Sequence, residues 1–176
     1  MNNVSYIAVV LAYVFLSGCA DVTSVTRNEN RDVVLDSSAK AYVSIPEDGA
    51  YGDQVYSGSG RTAAGIVLGA FSTKMLHVDI ADNYESYEKA MGSALTGGYE
   101  YLIFPKITHW EDRNTAWSGR PSKASVSIRI INVETGDMVD SVLIDSRSSV
   151  MRMTDPSPED ALPEPINEYV NSIIFR

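Results

Sequence analysis

Cysteine is almost absent from this chain: among 176 residues there is one, Cys19. A disulfide within the chain is excluded, and so is a zinc site built on several thiolates. Basic residues are scarce, with 14 Lys and Arg against 23 Asp and Glu and a net charge of −9. That balance argues against nucleic acid as a partner, because phosphate binding needs a basic face. Only two histidines occur, His77 and His109. Their acidic neighbours Asp79, Glu111 and Asp112 do not stand at a diagnostic metal-ligand spacing. Neither a G-x-S-x-G elbow nor a P-loop lysine is present. No cofactor and no metal are expected, and the chain is not expected to be an enzyme. What it does have is 44% hydrophobic residues, enough for one globular domain and too many for disorder throughout.

Long apolar runs are missing too. Val4–Leu16 is the longest, interrupted only by Ser5, and residues 1–18 hold no Asp, Glu, Lys or Arg. A spanning helix needs about 20 apolar residues; this shorter run suits the h-region of a signal peptide. It ends in Leu16-Ser17-Gly18-Cys19, which resembles a bacterial lipobox. Small residues let a peptidase grip extended backbone beside the scissile bond, and the thiol accepts the lipid. Cleavage between Gly18 and Cys19 is therefore expected, with Cys19 acylated as a membrane anchor carrying palmitate. One acyl chain holds a protein only marginally, whereas several hold it firmly. Ala20 rather than Asp follows the cysteine. By similarity to sorted lipoproteins of Gram-negative bacteria, this implies the periplasmic face of the outer membrane.

Residues 19–40 read as a flexible, lipidated tether that reaches roughly 25 Å by coil scaling, and 41–176 as a single periplasmic domain. Within it, residues 41–45 read as a strand, 62–75 as a helix and 76–80 as a strand. A helix capped by Asp82 or Asn83 and ended by Gly97-Gly98 comes next. Residues 101–104 read as a central strand. Residues 124–133 and 139–144 form a hairpin around Gly136. Beyond Pro163, Ile166, Tyr169, Val170, Ile173 and Ile174 make a one-sided helix. The predicted fold class is α/β (α+β): a mixed sheet of about five strands with about three helices, ordered β-α-β-α-β-β-β-α.

Two segments compete for a functional role. Gly58-Ser-Gly-Arg-Thr-Ala63 matches a G-x-G-x-x-A string, but the strand before it ends a dozen residues too early for a nucleotide loop. A helix lead-in is the expected reading. His109–Pro121 is more unusual. It holds both tryptophans, and residues 101–131 carry net charge +3 inside an acidic chain. Trp and Arg are enriched at binding hot spots. Trp110, Arg113, Trp117 and Arg120 are therefore the candidate partner-binding residues. An alternative groups His109, Glu111, Asp112 and Arg113 into a small-ligand or hydrolytic site. Alternation along a strand opposes it, because 111 and 112 would point apart.

Tyr101-Leu-Ile-Phe-Pro-Lys-Ile, His109-Trp-Glu-Asp-Arg, Trp117-Ser-Gly, Val133-Glu-Thr-Gly-Asp137 and Pro158–Pro163 together resemble an uncharacterised family of proteobacterial lipoproteins, classed as a domain of unknown function. More distantly, the element order is similar to the TolB amino-terminal domain, the curli-secretion lipoprotein and lipoprotein activators of peptidoglycan synthases. The resemblance implies a non-enzymatic domain that binds or scaffolds another envelope component, an envelope protein or a peptidoglycan-associated partner. A periplasmic oligomeric assembly subunit is the other reading it leaves open.

Overall fold

The computed structural model describes residues 22–27, 33–113, 121–147 and 157–174. The predicted signal peptide, Cys19, Trp117 and Arg120 lie outside them. Among the described residues the strands are β1 Val22–Arg27, β2 Lys40–Ile45, β3 Ala50–Tyr51, β4 Gln54–Val55, β5 His77–Tyr84, β6 Tyr101–Glu111, β7 Lys123–Asn132 and β8 Met138–Arg147. The helices are α1 Ser59–Ser72, α2 Tyr87–Gly97 and α3 Pro163–Ile173, with a 3-10 turn at Pro158–Ala161.

Six strands form one mixed sheet, ordered β1-β8-β7-β6-β2-β5, and β3 pairs with β4 apart from it. β2 lies parallel to both β5 and β6. Parallel neighbours need long crossovers, which α1 and α2 supply. From β6 onward the chain is an antiparallel meander, with β1 added antiparallel at the outer edge of β8. The predicted order of elements is present, and β1 makes the sixth strand.

Side-chain alternation decides the layers. In β7, Ala124, Val126, Ile128 and Ile130 are buried, while Ser125, Ser127 and Arg129 between them are not. The apolar row faces α1 and α3. α1 contributes Ala63, Ala64, Val67, Ala70 and Phe71, and α3 its predicted stripe Ile166, Tyr169, Val170 and Ile173. α2 covers part of the opposite face, where Ala90 and Ala94 meet Leu102, Ile131 and Val133. Several polar groups beneath the helices are paired. Under α3, Arg27 Nε donates to Asp140 Oδ2 at 2.8 Å and the Tyr169 hydroxyl donates to the same oxygen at 3.1 Å. Near α2, the Tyr42 and Ser93 hydroxyls donate to Glu85 at 3.0 and 2.9 Å.

Several boundaries differ from the sequence reading. The segment read as a tether is built into the domain in two places. Val22–Arg27 pairs with β8, and Leu35, 2% exposed, joins the core. α1 begins earlier than expected because Asp48 caps it from a distant loop. β5 runs on through Asp82 and Asn83, the caps expected for α2, and Ser86 takes that role by accepting from the Lys89 N–H. Gly98 ends α2 with a positive φ of 67°, as expected. β6 continues through Pro105 to Glu111. A proline fits a strand where no ladder bond is needed from its nitrogen; β2 pairs with β6 only as far as Ile103.

Candidate functional site: the open half of the sheet

Cross-strand register puts His109, Trp110 and Glu111 at one end of β6, with Asp112 and Arg113 directly after it. His109, Glu111 and Arg113 lie two residues apart and share a face. Arg113 Nε donates to Glu111 Oε1 at 2.5 Å, and His109 Nε2 sits 3.4 Å from Glu111 Oε2. The Arg113 guanidinium holds the Glu111 carboxyl below its usual range, opposed by burial and helped by His109. Asp112 points away and accepts from the Ser122 hydroxyl at 3.4 Å. The proposed four-residue site is thus split between two sides of the strand, as alternation requires. Glu111 has both oxygens engaged inside the cluster and is 5% exposed, which makes it a brace for the strand end.

Trp110 also faces away from this cluster. It is 3% exposed and belongs to the core beneath α1 and α3. Its ring and Cβ press on Gly49, where any Cβ would overlap it. Of the residues singled out for binding, Trp110 therefore presents almost no surface, and Arg113 is held by Glu111. The glycine string is likewise engaged. Asp48 accepts from the Gly58 and Gly60 N–H groups at 3.0 and 2.8 Å. A carboxylate of the chain itself occupies the place an anion takes at a helix N-terminus.

The surface that is available lies on the α2 side of the sheet, beyond α2. Register stacks it in rows: Phe104, Arg129 and Ser141; Lys106, Ser127 and Leu143; His109, Ser125 and Asp145; then Glu111, Lys123 and Arg147. Among the described residues no helix packs over β8 on this side, and over β7 α2 reaches only Ile131 and Arg129. Beside α2 a groove of about 420 Å³ runs between the sheet and the loop after β2. Arg129 lines it, its guanidinium 5.0 Å from the Phe104 ring centroid and 5.6 Å from that of Tyr87. Phe104 and Tyr87 meet edge to face at 5.5 Å. Lys106, Tyr84 and Glu47 complete the wall. Stacking on two rings orients the cation, and among the described residues it has no ion-pair partner. Sequence reasoning passed over Arg129, Phe104 and Tyr87. The signal was the polar row Ser125, Ser127, Arg129 on a central strand, where covered sheets carry apolar residues on both faces.

A crystallised PelC dodecamer from Paraburkholderia phytofirmans has a similar fold, with a TM-score of 0.66 at 15% identity, covering 88% of this chain and 100% of that one. A DUF330 protein from Xanthomonas campestris is similar at a TM-score of 0.51 and 17% identity, covering 82% of this chain and 87% of that one. No curated protein matches the chain in sequence. The family model described as Domain of unknown function (DUF4823) matches residues 33–173. That span is nearly the whole folded domain and includes the His109–Arg113 string, so the chain belongs to the DUF4823 family.

Proposed function

We propose that this protein is a lipid-anchored periplasmic domain of the outer membrane that binds or scaffolds another cell-envelope component and performs no catalysis itself. One observation carries the binding role: half of one sheet face stays open and presents a groove whose arginine, Arg129, is oriented by two rings and left unpaired by any carboxylate among the described residues. A shallow groove with aromatic and cationic walls suits an extended, anionic segment of a partner. The anchor rests on Leu16–Cys19, with the folded domain beginning directly after it at Val22. Photo-crosslinking from Lys106 and Ser127 in the full-length protein in cells tests the groove. A discrete adduct that disappears in Arg129→Glu, with folding unchanged, is the expected result; adducts insensitive to that change would reject it. Equal palmitate labelling of wild type and Cys19→Ser would reject the anchor.

A second reading, the oligomeric assembly subunit, draws on the fold shared with a protein crystallised as a dodecamer. Among the described residues both outer strands, β1 and β5, leave one edge unpaired in the sheet. Sedimentation of the acylated protein in detergent separates the two readings, since a monomer at micromolar concentration leaves only the first.

A further inference from the structure

Register fixes which end of the sheet is nearest the anchor. Only Ala20 and Asp21 separate Cys19 from Val22, where β1 starts. A trans chain spans at most about 3.6 Å per residue, so Cys19 is held within about 11 Å of that point. Val22 stands opposite Arg147, Arg147 opposite Lys123 and Lys123 opposite Glu111. With strands about 4.8 Å apart, this rim of the sheet lies beside the anchor. Lys40, at the start of β2, is at the other end, next to the start of β6. The ten residues of β8 put roughly 33 Å between the two ends.

The rim carries an unusual pair. Lys123 and Arg147 are direct cross-strand partners on the open face. Like charges placed so are destabilising. Among the described residues neither makes an ion pair within 4 Å: Glu111, whose carboxylate also feels the Lys123 charge, is held by Arg113 and His109, and Asp145 in the next row accepts from Ser125. Both cations line a shallow cavity of about 670 Å³ with Ser24, Ser125, His109 and Asp145. An anion seated between the two cations removes the repulsion. In a chain of net charge −9, this end is locally balanced among the described residues, with Arg113, Lys123 and Arg147 against Glu111, Asp112 and Asp145.

Resting on the anchor proposed above, we infer that Lys123 and Arg147 bind a phosphate of the phospholipid headgroups in the leaflet that holds the acyl chains. The domain then stands on the bilayer by its β1/β8/β7 rim, with the acidic Glu134–Asp137 turn pointing away. The contact fixes orientation, so the Arg129 groove is held at a set height above the membrane and does not tumble on a leash.

Amine labelling of the acylated full-length protein, read by mass spectrometry, tests this. In vesicles of phosphatidylethanolamine and phosphatidylglycerol, Lys123 should label about fivefold more slowly than in detergent micelles, the factor one basic residue gains near an anionic leaflet. Lys40 should label alike in both. Arg147→Ser should restore most of the Lys123 rate. Protein that floats with the vesicles yet labels Lys123 at its micelle rate overturns the inference and leaves the anchor standing. Protein that takes up no palmitate and fails to float removes both. If inorganic phosphate alone protects Lys123 of Cys19→Ser equally, the site takes a free anion, and the lipid assignment is overturned.

Discussion

On one face of the sheet, Val126, Ile128, Ile130 and Ile144 are fully buried beneath α1 and α3; on the other, Ser125, Ser127, Arg129 and Leu143 of the same strands remain half-exposed. Both rows come from one alternation. The apolar row needs a lid, and two amphipathic helices provide it; the polar row is already solvated and can stay open. The comparison teaches where to look for function in an antiparallel meander. Conformational stability sits on the covered face, and the surface free to meet another molecule lies on the other side of the same residues' backbone.

Four changes sharpen or break that contrast. Phe71→Ala empties a fully buried site between α1 and the sheet and should lower unfolding free energy by about 3–5 kcal/mol, measured by urea denaturation. Gly49→Ala forces a methyl into Trp110 and should destabilise by about 1–3 kcal/mol. A neutral result there would mean that Trp110 can leave the core and serve as a surface residue. Arg129→Ala removes two ring contacts on the open face and should cost less than about 1 kcal/mol of stability while abolishing the groove's crosslinks. A loss as large as that of Phe71→Ala would place Arg129 among the structural residues and erase the contrast. The smallest effect is in alkali. Burial, reinforced by Glu85, pushes the Tyr42 hydroxyl up to about 12 from an ordinary value near 10. The folded state then holds a proton that the unfolded chain releases, so this stabilisation is complete below pH 10 and is lost as pH rises toward about 12. Denaturation midpoints across that range should fall less steeply for Tyr42→Phe than for wild type. Tyr169, raised by burial and by Asp140, contributes to the same decline in both proteins.

Much of the scaffold was legible because its signals are local. The β7–β8 hairpin shows in its period of two and in Gly136, which adopts a φ of 74°; α3 shows in its three-and-four spacing. β1 was hidden because Val-Thr-Ser-Val-Thr-Arg is mostly exposed as an edge strand, and nothing in six such residues signals that β8, more than a hundred residues on, will pair with them. Trp110 misled for a related reason. Composition marks a tryptophan beside arginines as a hot spot, but side-chain direction at that position follows from a register shift between Ile107 and His109. Of the other candidate binding residues, Arg113 is visible and ion-paired, while Trp117 and Arg120 fall outside the described residues.

By itself the sequence determined the chemistry that depends on near neighbours in the chain. It set the lone cysteine in a lipobox-like string, the acidic balance, the order of elements and the apolar stripes that must be covered. Tertiary structure alone decided which polar groups remain free. It spent Asp48 on the glycine loop, Glu111 on Arg113 and His109, and Asp140 on Arg27 and Tyr169. It left Arg129, Lys123 and Arg147 without an ion pair among the described residues. The reason is that pairing depends on register and strand order, which join residues far apart in the chain, whereas helix and strand periods depend only on residues a few positions away.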